Sequence, residues 1–93
     1  MRLNKNHPLY QENIDNILSI SGIDSLRGKS ILVTGATGLI GVHLIDALMR
    51  LGGVSVFAVG RDRQKAADRL GEYFDHPLFH FIEQDDVSPF LHH

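Results

Sequence analysis

The sequence has no cysteine and no tryptophan, and only three of its 93 residues are proline. Without cysteine the chain cannot form disulfides, use a thiolate nucleophile or bind zinc through sulfur. A surplus of one charge sign is also lacking, because nine Lys and Arg oppose eleven Asp and Glu for a net charge of −2. This balance gives no general attraction to nucleic acid, and we expect no such partner. With 43% hydrophobic and 22% charged residues, the composition is that of one small globular domain.

Long hydrophobic runs are absent as well. The longest, residues 54–59, is interrupted by Ser55 and falls far below the roughly 18 apolar residues of a membrane span. The N-terminal residues include basic side chains but no apolar segment behind them, so they do not form a signal peptide. The six histidines show no zinc-type spacing with carboxylates. We therefore predict a cytoplasmic chain with no membrane contact and no metal site.

The sequence does contain an alternation of helical and strand patterns. Apolar residues at helical spacing from Tyr10 to Ser21 predict a helix, and we assign residues 1–28 to an N-terminal helix and loop. The continuous apolar run Ile31-Leu32-Val33 predicts a strand that is covered on both faces. The pattern continues with a helix, a strand, a helix and a strand, predicted at residues 39–51, 54–59, 62–74 and 78–82.

This βαβαβ order predicts an α/β fold. Right-handed crossovers place the three parallel strands in the order 3-2-1, as in one half of a Rossmann-type dinucleotide-binding domain. We assign residues 29–93 to that half-fold, with the N-terminal helix as an addition.

A glycine-rich segment joins the first predicted strand to the helix that follows. Gly35 permits a tight turn, Gly38 lets the backbone approach a pyrophosphate, and Gly41 allows close packing of helix on strand. Backbone N–H groups at the helix N-terminus and its dipole attract phosphate. The alternative is a strand–helix turn without a ligand. The predicted cofactor-binding residues here are Gly35, Ala36, Thr37, Gly38, Leu39, Ile40 and Gly41.

The spacing G-x-x-G-x-x-G in Gly35-Ala36-Thr37-Gly38-Leu39-Ile40-Gly41 closely resembles that of the extended short-chain dehydrogenase/reductase family, the NAD(P)-dependent epimerases and dehydratases. The resemblance covers residues from about 29 to 91, and the preceding helix is similar to the extension of some sugar-nucleotide-modifying members. It implies an oxidoreductase-type cofactor, NAD or NADP, and a nucleotide-sugar substrate in the full-length protein.

The residues after the second predicted strand bear on the choice of cofactor. Gly60 stands where NAD-type members of the family usually have Asp, and Arg61 with Arg63 resembles the basic NADP-type pattern. A cation there favours a 2′-phosphate, so NADP is favoured over NAD. Asp62 keeps NAD open if its side chain turns toward the ribose instead of capping the next helix. The alternative for Arg61 and Arg63 is a solvated loop, and for Arg63 alone that alternative is preferred.

Asp86-Val87 follows the third predicted strand. The resemblance implies that this pair contacts adenine, with the carboxylate accepting from the exocyclic amine. A turn carboxylate before Ser88-Pro89 explains the same residues equally well.

The family's catalytic pair, Tyr-x-x-x-Lys, is missing, because Ile14 and Pro77 stand four residues after the two tyrosines. We therefore predict no catalytic residue in this chain and expect it to be the N-terminal part of a longer enzyme, inactive by itself. A half-sheet also leaves the backbone edge of residues 31–33 open, so we expect self-association. A non-catalytic NADP-sensing module and an interaction domain without ligand remain open alternatives.

Overall fold

The computed structural model describes residues 4–84 and contains a three-stranded parallel sheet with helices. The strand order β1-β2-β3 is equivalent to the predicted 3-2-1, which confirms the α/β class and fits a Rossmann-like half-fold. In register, Leu32 faces Phe57 on the next strand, and Phe57 faces His80. The elements in chain order are α1 (Pro8–Leu18), β1 (Ser30–Thr34), α2 (Leu39–Leu51), β2 (Ser55–Gly60), α3 (Arg63–Leu70) and β3 (Phe79–Glu83), with 3₁₀ turns at Ile23–Leu26 and Gly71–Tyr73.

The core lies between one face of the sheet and the two crossover helices. Alternating residues of the strands pack in one cluster with the apolar stripes of α2 and α3. Right-handed crossovers are the rule between parallel strands, and two that run in the same direction along the sheet put both helices on the same face. The fully buried members include Ile45, Leu48, Val56, Ala58 and Leu70. Within residues 4–84, no helix combines the length and apolar character that membrane crossing requires.

Helix α1 is the predicted addition, and it shares this core. It begins with Pro8 in its first turn, where the missing N–H costs nothing, and His7 accepts a hydrogen bond from the N–H of Leu9 at 3.1 Å. It ends at Leu18, earlier than the stop expected at Gly22. Tyr10 and Ile14 are buried in the main cluster. The division between residues 1–28 and 29–93 stays a prediction.

A buried carboxylate joins α1 to the rest of the fold. Asp46 on α2 is only 7% exposed, and its oxygens accept hydrogen bonds from the hydroxyls of Tyr10 and Tyr73 and from Lys5 Nζ, the last at 2.9 Å. Lys5 Nζ also lies 3.0 Å from Glu72 Oε2. Burial, and after it the hydrogen bond to Asp46, raises the pKa of both tyrosines above the ordinary value. The network therefore ties the N-terminal segment to α2 and to the turn after α3.

The second face of the sheet differs from the prediction. We expected Ile31-Leu32-Val33 to be covered on both faces, but Leu32 is 49% exposed, and Ser30 and Thr34 are exposed with it. The reason is that both crossover helices lie on the opposite face, so within residues 4–84 this face is covered only in part: Leu32 is open, whereas Val59 on the same face is 2% exposed. Phe57 and His80 stack across it, with ring centroids 4.6 Å apart.

We propose that this chain self-associates through the open edge of β1. Among the described residues β1 pairs with β2 alone, so its other edge presents backbone donors and acceptors beside the exposed Leu32. Sedimentation velocity is expected to show concentration-dependent oligomers. Leu32→Lys should shift the chain toward monomer, because a charge at an edge strand opposes pairing. Ile20→Lys, at a residue 58% exposed outside the sheet, is the control and should change nothing. A chain that stays monomeric at millimolar concentration would refute the proposal.

Candidate functional site

The glycine-rich segment forms a tight turn between β1 and α2. Gly35 has a φ of +63°, in the left-handed region that glycine adopts without strain. The N–H of Ala36 donates to the carbonyl of Val59 at 3.0 Å, and the N–H of Gly38 donates to the carbonyl of Gly35, also at 3.0 Å. Ala36 is completely buried. These bonds fix the loop against the carboxyl ends of β1 and β2.

Gly41 allows α2 to approach this turn. A Cβ placed on Gly41 would lie 2.9 Å from Ala36 Cα and even closer to the carbonyl oxygen of Gly35. Both are backbone atoms, which cannot move aside as a flexible side chain could. At Gly38 a Cβ would lie 3.3 Å from the same carbonyl oxygen. The structure therefore gives Gly41 the packing role that the sequence predicted.

The N-terminus of α2 has no side-chain cap. Gly38 is the N-cap residue, and the first bond of the helix ladder runs from Val42 N to Gly38 O at 2.9 Å. The N–H groups of Leu39, Ile40 and Gly41 precede that bond and have no backbone acceptor within residues 4–84. The side chains of Leu39 and Ile40 are 50% and 84% exposed. Unsatisfied donors and the helix dipole make this end chemically suited to an anion such as a pyrophosphate.

The neighbouring helix α3 is different, because carboxylates cap its N-terminus. Asp62 Oδ1 accepts from the N–H groups of Gln64 at 2.9 Å and of Lys65 at 3.2 Å. Glu83 Oε2 accepts from the N–H of Arg63 at 3.1 Å. All three initial donors of α3 are thus satisfied by negative charge. Of the two crossover helices, only α2 offers its N-terminus to a phosphate.

The residues after β2 lie beside the loop. The sequence left two roles open for Asp62, ribose binding and capping of the next helix. In the structure its side chain caps α3. Arg61 is exposed and forms no ion pair within residues 4–84, whereas the guanidinium of Arg63 lies 5.3 Å from the ring centroid of Phe81. Arg63 is exposed to solvent as we preferred, but it is the first residue of α3, not a loop residue, and its guanidinium lies over an aromatic ring.

Gly60 is buried at the end of β2, next to the glycine loop. A Cβ there would lie 3.3 Å from the methyl carbon of Thr37 and 3.2 Å from the ring of Phe81. A larger side chain at this position requires one of these neighbours to shift. The contact also brings the end of β2, and with it Arg61, to the side of the glycine loop. The pair Asp86-Val87 lies outside the described residues, and its contact with adenine stays a prediction.

Sequence reasoning missed one contact in this region. Arg69 in the last turn of α3 donates from Nη1 to the carbonyl of Thr37 in the middle of the glycine loop. The two residues are 32 positions apart, and no local pattern indicates their meeting. The only signal was an arginine on a short helix that has to pack beside the loop.

Comparison with known proteins identifies a family and several relatives for this segment of the chain. The NAD dependent epimerase/dehydratase family model matches residues 31–88, more than half of the chain. From Arabidopsis thaliana, UDP-glucuronic acid decarboxylase 2 is 34% identical over 70% of this chain and 14% of its own length. UDP-glucuronic acid decarboxylase 6 is 37% identical over 63% of the chain and 17% of its own length. UDP-glucuronic acid decarboxylase 5 is 34% identical over 66% of the chain and 18% of its own length.

The chain thus corresponds to 14–18% of the length of these relatives. The matched segment begins in β1, runs through the glycine loop and both crossover helices, and includes β3. Loop geometry, helix ends and sheet order all agree with that match. On these grounds the chain belongs to the NAD dependent epimerase/dehydratase family.

Proposed function

We propose that this chain binds a nicotinamide dinucleotide through residues 35–41, with the pyrophosphate at the N-terminus of α2. The uncapped end of α2 carries this proposal. Three N–H groups precede the helix ladder there, while carboxylates occupy the equivalent donors of α3. The residues present fit the cofactor, because the glycine loop supplies donors and leaves open space over Gly35, where a Cβ would meet no atom within 4 Å.

The proposal places this cofactor site in an enzyme that acts on a sugar nucleotide. Its support is the family membership and the likeness to three decarboxylases whose names specify UDP-glucuronic acid. The 93 residues contain no Tyr-x-x-x-Lys pair, so the proposal assigns this chain cofactor binding and no catalytic step. When bound, the dinucleotide supplies hydride transfer.

NADP is the proposed cofactor in preference to NAD. An NAD site uses a carboxylate at the end of β2 to bind the ribose hydroxyls. Position 60 is a glycine with little room for a larger side chain, and the carboxylate of Asp62 is engaged with the backbone of α3. Arg61 is exposed beside the loop and suits the 2′-phosphate of NADP.

Calorimetric titration of the 93-residue chain with NADP and with NAD tests this preference. We expect NADP to bind more tightly, and Arg61→Ser to weaken NADP binding by roughly tenfold while leaving NAD binding unchanged, since only NADP has the charged group. Arg63→Ser, two residues further on at the start of α3, is the matched control. Because the Arg63 guanidinium lies over Phe81, its loss should leave both affinities within about twofold.

The outcomes separate the alternatives. Equal weakening of NADP and NAD by Arg61→Ser would refute the 2′-phosphate contact. Tighter binding of NAD than of NADP would overturn the cofactor preference. Failure of both dinucleotides to bind would favour an interaction domain without ligand.

A further inference from the structure

We propose that Arg69 is a positioning residue that holds the glycine loop in its phosphate-binding conformation before any cofactor arrives. This inference rests on the proposed function and adds to it a residue outside residues 35–41. It begins from the hydrogen bond between Arg69 Nη1 and the carbonyl oxygen of Thr37.

Arg69 reaches the loop because of where it lies on α3. Side chains of a helix lean toward its N-terminus, and the N-terminus of α3 lies at the same edge of the sheet as the loop. The side chain is half-buried between these elements. None of the carboxylates in residues 4–84 lies within ion-pair distance of it. Its observed partner is therefore the loop backbone.

The carbonyl of Thr37 matters because of its alternative partner. If α2 began one residue earlier, the carbonyl oxygen of Thr37 would accept a hydrogen bond from the N–H of Gly41, which is four residues further along the chain. That bond is absent, while the next one, from Val42 to Gly38, is present at 2.9 Å. The extended backbone of Gly38 leaves the Thr37 carbonyl outside the helix ladder, and Arg69 supplies a donor to it there, which stabilises the conformation in which the N–H of Gly41 stays out of the ladder. The loop is thereby preorganised for an anion.

At other points, among residues 4–84, the loop is held by backbone hydrogen bonds, by packing and by His43, whose Nδ1 lies 2.8 Å from the carbonyl oxygen of Leu39. Ala36 and Gly38 donate to the carbonyls of Val59 and Gly35, and the Thr37 methyl lies against Gly60. Arg69 supplies the side-chain hydrogen bond to Thr37, and a guanidinium that donates to a carbonyl is stronger than a neutral donor. Its removal should loosen the centre of the loop without opening the core.

The test compares Arg69→Met with Arg69→Lys and with Arg27→Met. Arg27 is the matched control because its guanidinium donates to the carbonyl of Leu51, at 3.1 Å, at the opposite end of α2. In the absence of cofactor, Arg69→Met should speed amide hydrogen exchange roughly tenfold at Ala36 and Gly38, whose N–H groups donate to the carbonyls of Val59 and Gly35, as expected for losing one charge-assisted bond. Arg69→Lys should restore part of the protection, and Arg27→Met should leave these amides unchanged.

Cofactor titration of the same variants separates positioning from direct contact. A residue that orders the loop affects the pyrophosphate common to both cofactors, so Arg69→Met should weaken NADP and NAD equally, by roughly tenfold. Weakening of NADP alone would overturn the inference and make Arg69 a 2′-phosphate ligand. Unchanged loop amides in Arg69→Met would overturn it as well. If the wild-type chain bound neither dinucleotide, the proposed function would fail, and the amide measurements without cofactor would still decide the role of Arg69.

Discussion

Gly41→Ala is expected to destabilise the fold by about 2 kcal/mol, which for a domain of this size lowers the melting temperature by roughly 8–16 °C. The added methyl would lie 2.9 Å from Ala36 Cα and closer still to the Gly35 carbonyl oxygen. Alanine favours a helix by about 1 kcal/mol over glycine, but overpacking against backbone costs more than this gain. Thermal unfolding followed by circular dichroism measures the loss.

Gly71→Ala is the control for this change. Gly71 has a φ of −57°, and a Cβ there would meet no atom within 4 Å. The same glycine-to-alanine change should therefore leave the melting temperature equal or slightly higher. If Gly41→Ala and Gly71→Ala unfolded at the same temperature, α2 would not pack on the glycine loop as described.

Asp46→Asn is expected to cost about 3 kcal/mol, because it removes the charge of a buried carboxylate while leaving its partners in place. Lys5 would lose an ion pair at 2.9 Å, and the hydroxyls of Tyr10 and Tyr73 would face an amide in place of a strong acceptor. Urea unfolding monitored by tyrosine fluorescence reports both the stability and the environment of these rings.

Asp68→Asn provides the matched control on an exposed face of α3. Surface charges of this kind contribute about 0–1 kcal/mol, so its midpoint should stay close to that of the wild type. In a double-mutant cycle, Lys5→Met should cost less in the Asp46→Asn background than in the wild type, since the pair is already broken. Equal stability of the two Asp→Asn variants would show that the buried network does not hold α1 to the fold.

The order of the elements follows from the sequence because local patterns determine it. The apolar stripe of α2 predicts a helix over 39–51, the span that the structure has. Strand β1 is one residue longer at each end than predicted, and β2 and β3 are each shifted by one residue toward the C-terminus. The capping role of Asp62 was recognised as one of two possibilities, and the observed bonds to Gln64 and Lys65 select it.

The remaining features depend on residues far apart in the chain. Asp46 lies among apolar neighbours on α2, but its partners come from residues 5, 10 and 73, which no periodicity connects. The bond from Arg69 to the Thr37 carbonyl has the same origin. The exposure of Leu32 was not predictable either. A continuous apolar run indicates that both faces of a strand are apolar, but it does not show whether another element packs on the second face.

The glycine loop was the most predictable part of the site. A tight turn, the close approach of the backbone to a pyrophosphate and the packing of helix on strand each demand glycine, at a fixed spacing. The choice between NADP and NAD was harder to predict from the sequence, because it depends on where the side chains of Arg61 and Asp62 point. The structure shows Asp62 on the backbone of α3 and Arg61 exposed. That arrangement supports the proposed preference for NADP.

The most direct test of dinucleotide binding is a titration of the ¹⁵N-labelled chain with NADP, followed by the amide shifts of residues 35–41. The account predicts saturable shifts centred on Gly38, Leu39 and Ile40, with the amides of Gln64 and Lys65 unmoved because the Asp62 carboxylate occupies them. Saturable shifts at α3 with none in the glycine loop, or no saturable shift at all, would contradict it.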